Sequence, residues 1–298
     1  MPGMDHGTGA YARVSAQLLD VQRTQGTKAA LARLDQLAHA DDTVAGVCHA
    51  VAHDLGHAAL AQANDSVSAA LRERSDVCGG GYIHGVIERA LAASSDPQRD
   101  ILRVCAPRQE GICWHGVGHG AMFVTDMNVS RSLALCAKAP STLLEHRCGE
   151  GVFMQRFNAE SAGTGGAASA LPSLDATAAL CRRTTGGQQG NCWFYAPNVW
   201  LAAHPDDFAG AMGWCAAQGD SSARQVCAKG VGSRTVKRHP GNLAVGAGVC
   251  RAAGALRGPC LAGMGSYWSV HWEGRVSPIS VCDRLGDLRS ACRGAMRG

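Results

Sequence analysis

The sequence predicts an all-α protein of helical repeats, roughly 35 residues each, stacked as a solenoid or a closed helical ring and stapled by disulfides. Three observations predict it. Fourteen cysteines recur in two interleaved series. Glycine follows most of the first series at a fixed distance. The segments between them carry apolar residues at the three-and-four spacing of a helix.

The first series is Cys78, Cys113, Cys148, Cys192, Cys227, Cys260 and Cys292, and Gly81, Gly116, Gly151, Gly230 and Gly263 each stand three residues after one of them. The second series, Cys105, Cys136, Cys181, Cys215, Cys250 and Cys282, precedes the next unit by 8, 12, 11, 12, 10 and 10 residues. Each unit then reads as a glycine-bearing helix A opening at the first cysteine, a turn, and an Ala/Leu-rich helix B closing at the second. The runs VSRSLALC before Cys136, DATAALC before Cys181 and DFAGAMGWC before Cys215 have helical spacing. Asp65, Asp96, Asp175 and Asp206 stand where helix caps belong. Each second-series cysteine pairs naturally with the first-series cysteine after it, in the order Cys105–Cys113, Cys136–Cys148, Cys181–Cys192, Cys215–Cys227, Cys250–Cys260 and Cys282–Cys292. Cys48 and Cys78 are left to each other. Short loops of this kind each contribute about 2–3 kcal/mol by chain entropy. A glycine inside a helix costs about 1 kcal/mol relative to alanine, so its recurrence in helix A implies close helix–helix approach.

The organisation expected is an N-terminal tail with capping helices over 1–44, histidine-rich repeats carrying the site over 45–160, and further cysteine-stapled repeats over 161–298. The capping pair falls near 8–24 and 27–39. The glycine- and alanine-rich stretch 160–173 reads as a flexible insertion.

Composition narrows the function classes. At 298 residues with 46% apolar content the chain can bury a sizeable core. The net charge of +4 comes from interspersed signs without a basic run, so nothing points to nucleic acid or an anionic membrane surface. No apolar run approaches the roughly 18 residues a spanning helix needs, which predicts no membrane insertion. The absence of any C-x-x-C pair disfavours thiolate zinc and favours disulfides, hence an extracytoplasmic, periplasmic or secreted setting. Met1-Pro2-Gly3-Met4-Asp5-His6 has neither the basic nor the apolar region of a signal peptide, so a mature form is expected.

The chemistry lies in histidines. CHAVAHDLGHAAL at 48–60 places His53 and His57 four apart, CWHGVGHGAMF at 113–123 does the same with His115 and His119, and His84 has Glu88 four residues on. Two imidazoles at that spacing share a helical face, the arrangement by which one helix donates two metal ligands. Aligning the glycine-bearing helices puts His57, His84, His119 and Met154 in one column and His53, Gly80, His115 and Glu150 one turn earlier. In later units Asn198, Ser233 and Ser266 take the first column. A single repeated histidine is usually structural; five at matching positions point to metal. The predicted ligands are His53, His57, His84, His115 and His119, with Glu88 and Glu150 as carboxylate ligands or bases. His39, His49, His146, His204, His239 and His271 fall outside the pattern, and Met154 reads as core. Imidazole sets suit copper, iron or zinc. Copper is favoured, since the opening MPGMDHG resembles Met/His segments of periplasmic copper-handling proteins.

The stretch C-W-H-G-V-G-H-G at 113–120, followed by C-G-E-G-V-F-M at 148–154, resembles a group of bacterial secreted, cysteine-rich proteins with the pattern C-x-H-G-x-G-H and then C-x-x-G-V-F-M-E-N. The similarity spans about residues 45–160. It implies an extracytoplasmic setting and brings no activity with it. Gln155 and Arg156 stand where that group has Glu-Asn; if that acid serves the site, the chemistry here is altered.

The leading reading is thus a metal-dependent oxidoreductase, of copper or iron, acting on a small-molecule or peptide substrate. The alternatives are a non-catalytic metal-binding or storage module, and a partner-binding solenoid with structural histidines whose contacts come from CWFYAPNVW at 192–200 and GSYWSVHW at 265–272.

Overall fold

A computed structural model describes residues 9–73, 75–105, 110–157 and 171–297, and every regular element among them is helical. The chain divides into two compact units, Met1–Ala170 and Leu171–Gly298. The Met/His opening, and the insertion over 160–173 up to residue 170, lie outside the described residues.

The first unit begins with α1 (Ala10–Gln25) and α2 (Thr27–Ala40), separated by Gly26, whose φ of 92° turns the chain sharply. Then come α3 (Asp42–Gln62), α4 (Val67–Ala70), α5 (Val77–Ala92), α6 (Pro97–Val104), α7 (Gly111–Val124), α8 (Val129–Cys136) and α9 (Thr142–Phe157). The helices bearing the histidine and glycine motifs pack in series, α3 on α5, α5 on α7 and α7 on α9. Two contacts show why they carry glycine. A Cβ on Gly85 of α5 would run into the His53 carbonyl of α3, and one on Gly151 of α9 into the His115 carbonyl of α7. Backbone therefore meets backbone at the residues that carry the imidazoles. The helix-propensity cost of glycine is offset by bringing side chains of adjacent helices within ligand distance of each other.

The second unit comprises α10 (Leu174–Arg183), α11 (Gly187–Tyr195), α12 (Pro197–Ala203), α13 (Phe208–Ala216), α14 (Ser221–Arg238), α15 (Leu243–Ala252), α16 (Arg257–His271) and α17 (Arg289–Ala295). Here α14 packs along α16, with α11 and α13 also against α14. Trp193, Tyr195 and Trp268, from the two aromatic stretches, are buried. These three build the core, whereas Phe194, Trp200, Tyr267 and Trp272 of the same stretches are only partly buried. The column positions that held histidine now serve Arg234: its Nε donates to Asn198 Oδ1 at 2.6 Å, and its guanidinium lies over the Phe194 and Tyr195 rings.

All fourteen cysteines are paired, as Cys48–Cys78, Cys105–Cys113, Cys136–Cys148, Cys181–Cys192, Cys215–Cys227, Cys250–Cys260 and Cys282–Cys292. Their Cα separations of 5.3–5.9 Å are ordinary for disulfides. Cys48–Cys78 joins α3 to α5, and four others join consecutive helices directly, such as α8 to α9. Seven such bonds suggest an oxidising, extracytoplasmic environment. Among the described residues no helix is long and apolar enough to cross a membrane.

Of the four expected aspartate caps only Asp96 acts as one, accepting from the Arg99 amide. Asp65 and Asp206 have φ of 59° and 62°, left-handed turns that short polar residues tolerate, and hand the cap to Ser66 and Asp207 one residue on. Asp175 lies inside the first turn of α10, where it complements the helix dipole, and Ser173 caps.

The glycine contacts predict opposite outcomes for one chemical change. Gly85→Ala should destabilise by about 1–3 kcal/mol through overpacking. Gly213→Ala, where a Cβ meets nothing within 4 Å, should stabilise by up to about 1 kcal/mol. Thermal melts of the oxidised protein check both; equal shifts in the same direction would refute the close-approach account.

Candidate metal centre

Three helices deliver the cluster. α3 presents His49, His53 and His57 on successive turns of one face, α5 presents His84 and Glu88, and α7 presents His115 and His119. Ligand nitrogens of His49, His53, His84 and His119 all lie within 4.8 Å of one another, and all four residues are buried. Two nitrogens bound at 2.0–2.1 Å on opposite sides of one ion stand about 4 Å apart. A small inward movement therefore brings the group to coordination distance.

The ring orientations are set from behind. His49 Nδ1 donates to the Cys78 carbonyl at 2.7 Å, and His53 Nδ1 donates to Glu88 Oε2 at 3.0 Å. His119 Nδ1 donates to Gln155 Oε1 of α9 at 2.8 Å. Each of these acceptors lacks a proton, so in the neutral ring the proton sits on Nδ1 and Nε2 carries the lone pair. The Nε2 atoms of His49 and His53 face each other at 3.1 Å. Two lone pairs at that distance repel unless a cation lies with them. His119 Nε2 and both ring nitrogens of His84 are buried without a hydrogen-bond partner among the described residues. Imidazoles whose far nitrogens are anchored to carbonyl, carboxylate or amide, with near nitrogens converging, have the outer-shell pattern of metal-binding histidine. The donor set fits a transition metal, and the group could hold one.

The anchor for His49 depends on an unusual start to α5. Cys78, Gly79 and Gly80 have φ of 55°, 69° and 76°, a left-handed triplet that swings the Cys78 carbonyl toward α3. Two of the three are glycine, for which that conformation carries no steric cost. The third is tied to Cys48, one residue before His49.

Electrostatics agree with the geometry. His84 and His119 are held well below the ordinary histidine pKa by burial first, and then by the neighbouring histidines. They are therefore neutral at pH 7, the ligand form. Burial alone would raise Glu88, but hydrogen bonds from His53 and His57 outweigh it and keep its carboxylate ionised.

The five histidines expected from sequence divide here. His53, His84 and His119 belong to the group. His57 is reversed, with Nε2 donating to Glu88 Oε2 at 2.9 Å, so it braces Glu88 from the outside. His115 stands beside the group, its ring stacked on His84 at 4.6 Å and its buried Nε2 without a hydrogen-bond partner among the described residues. Its Nδ1 lies 3.8 Å from Glu150 Oε2, an ion-pair contact too long for a hydrogen bond. Arg147 donates to Glu150 at 2.8 Å. Burial raises the Glu150 carboxyl, and His115 with Arg147 overcomes that to hold it at about 2. His49, set outside the pattern by sequence, is a member of the group. Its signal was present: His49, His53 and His57 form an unbroken i, i+4, i+8 series, hidden by aligning helices on glycine. Gln155, noted only as a replacement for an acid, proves to be the His119 anchor.

In comparisons with family models, curated proteins and solved structures the chain matches none of them. Fold and site together define an all-helical, disulfide-stapled protein with a buried four-histidine group that could bind a transition metal.

The pKa directions fix how the metal-free protein responds to pH. The folded state keeps His84 and His119 unprotonated where the unfolded chain, with a pKa of about 6.5, takes up protons. Stability is full above that value and falls as pH drops below it, by at most two protons or about 2.7 kcal/mol per pH unit from this pair. Glu88 and Glu150, lowered in the folded state, add a further loss below about pH 4.5. Urea melts of chelated protein between pH 8 and 4 check this; flat stability from 8 to 5 would contradict it.

Proposed function

We propose that this chain is a periplasmic or secreted metalloprotein whose A and B helices stack as a repeat solenoid, with His49, His53, His84 and His119 holding one transition-metal ion. The observation that carries the reading is the convergence of four buried imidazoles, three of which (His49, His53 and His119) already have their far nitrogens anchored. An all-imidazole donor set suits copper, iron and zinc, and copper or iron is preferred for redox chemistry. A copper or iron ion held this way supplies one-electron transfer and Lewis acidity.

The protein's own residues do the rest. Glu88 fixes the His53 ring and is itself held by His57. Gln155 fixes His119 without adding charge, where a glutamate would raise the basicity of that ligand. His115, stacked on His84 with its Nε2 buried and without a hydrogen-bond partner among the described residues, would be a further imidazole available to such an ion. Glu150 Oε2 lies 3.8 Å from the Nδ1 of that ring. Kept ionised, it is a poor general base, because a group so far below neutrality holds a proton weakly. On this reading the protein is an oxidoreductase with His115 at its working edge. The burial of all four histidines favours a second reading, a closed metal-binding or storage module without turnover.

Elemental analysis of protein made in an oxidising compartment tests the proposal. About one equivalent of copper, iron or zinc should be present, lost in His84→Ala and His119→Ala and retained in His57→Ala. Glu88→Gln should weaken the affinity about 10–100-fold. Absence of metal after reconstitution would refute the reading. Turnover with dioxygen or peroxide that is lost in His115→Ala would select the enzyme; a loaded protein inert to both would select storage.

A further inference from the structure

Thirteen of the fourteen cysteines are buried, and Cys78 alone is partly exposed. Its bond to Cys48 spans a sequence separation of 30, against 8–12 for the other six. This one bond meets the four-histidine group from two sides. Cys48 immediately precedes His49 in α3, and the Cys78 carbonyl accepts the His49 Nδ1 proton at 2.7 Å. That carbonyl points to α3 because Cys78 has a φ of 55°, a conformation that an L side chain keeps only when its surroundings hold it. Gly79 and Gly80 follow at 69° and 76° and need no such restraint. A Cβ on Gly81 would run into the His49 carbonyl, so the start of α5 is seated on the backbone of this ligand.

We infer that the Cys48–Cys78 bond is a redox latch on the metal centre, opened by a dithiol. The inference rests on the metal-binding reading above. A thiolate of the dithiol attacks the Cys78 sulfur, forming a mixed disulfide and releasing the Cys48 thiolate. The second thiolate then attacks the sulfur of the reagent, which leaves as a cyclic disulfide and frees Cys78. Two electrons pass to the protein, and the two protons lost by the dithiol end on Cys48 and Cys78. Untied, Cys78 relaxes to negative φ and its carbonyl turns away from α3. The His49 ring then loses the acceptor that fixes its tautomer and orientation. The other six bonds, buried at both ends, hold the fold while this one is open. In an oxidising compartment the latch closes and the ion is retained; a dithiol releases it.

The test measures Zn²⁺ affinity against a chromophoric chelator. Brief dithiothreitol treatment of folded, metal-free protein, then iodoacetamide and removal of both, should label Cys48 and Cys78 before any other cysteine, as read by peptide mass spectrometry. Protein alkylated at that pair alone should keep the helical circular dichroism of the parent and bind Zn²⁺ about 10–100-fold more weakly. Cys48→Ala/Cys78→Ala should weaken binding to the same extent. Cys48→Ala/Cys78→Gly, in which position 78 takes the left-handed conformation freely, should recover most of the affinity; no recovery would overturn the route through the Cys78 carbonyl. Labelling that begins at another pair, or parent affinity in Cys48→Ala/Cys78→Ala, would overturn the latch and leave the centre standing. A parent protein that binds no Zn²⁺ would overturn the centre and the latch together.

Discussion

Imidazole nitrogens packed face to face in a core that excludes water impose the constraint around which the first unit is arranged. A buried polar atom left without a partner costs about 1–3 kcal/mol. His84 and His119 alone supply three such nitrogens, and the opposed Nε2 atoms of His49 and His53 add a repulsion. Against a net stability of about 5–15 kcal/mol for a typical domain, that is a large commitment. It is intelligible if a cation meets one nitrogen from each of His49, His53, His84 and His119, since one ion then answers four lone pairs and the charge of Glu88 together and leaves only the second His84 nitrogen unpaired.

The framework serves that arrangement. Backbone contact at Gly85 brings α5 onto α3, Gly116 lets α7 approach His84 of α5, and Gly151 brings α9 onto α7, so that imidazoles of three helices meet. The bond between Cys48 and Cys78 fixes the left-handed start of α5, and through the Cys78 carbonyl it orients His49. A disulfide, a glycine pair and a ligand anchor are thus one local device. The second unit uses the same materials differently, seating Arg234 on aromatic rings where the first unit seats histidine.

Much of this was legible beforehand. The helical class followed from periodicity. The helix pair at the N-terminus and the spacing of the cysteines matched what the structure contains, because short-range pairing needs no knowledge of distant contacts. Three of the four grouped histidines were legible, His53 and His119 from i, i+4 histidine pairs and His84 from its column in the aligned glycine-bearing helices. What was not legible depends on ring orientation and on helix ends. His57 and His53 have the same neighbours in sequence terms, yet one ring faces the group and the other faces Glu88. His49 escaped because the aligned glycine register starts one turn after it. Aspartate caps at Asp65 and Asp206 failed since a left-handed residue moved the cap by one position, a choice made by the whole turn.

The central claim is that imidazole nitrogens, and not carboxylates or thiolates, surround a single ion. X-ray absorption at the metal edge, on protein reconstituted with one equivalent of zinc or copper, measures this directly. The account predicts a first shell of four nitrogens at about 2.0–2.1 Å with the outer-ring scattering of imidazole. A shell dominated by oxygen or sulfur, or one containing a single imidazole, would contradict it.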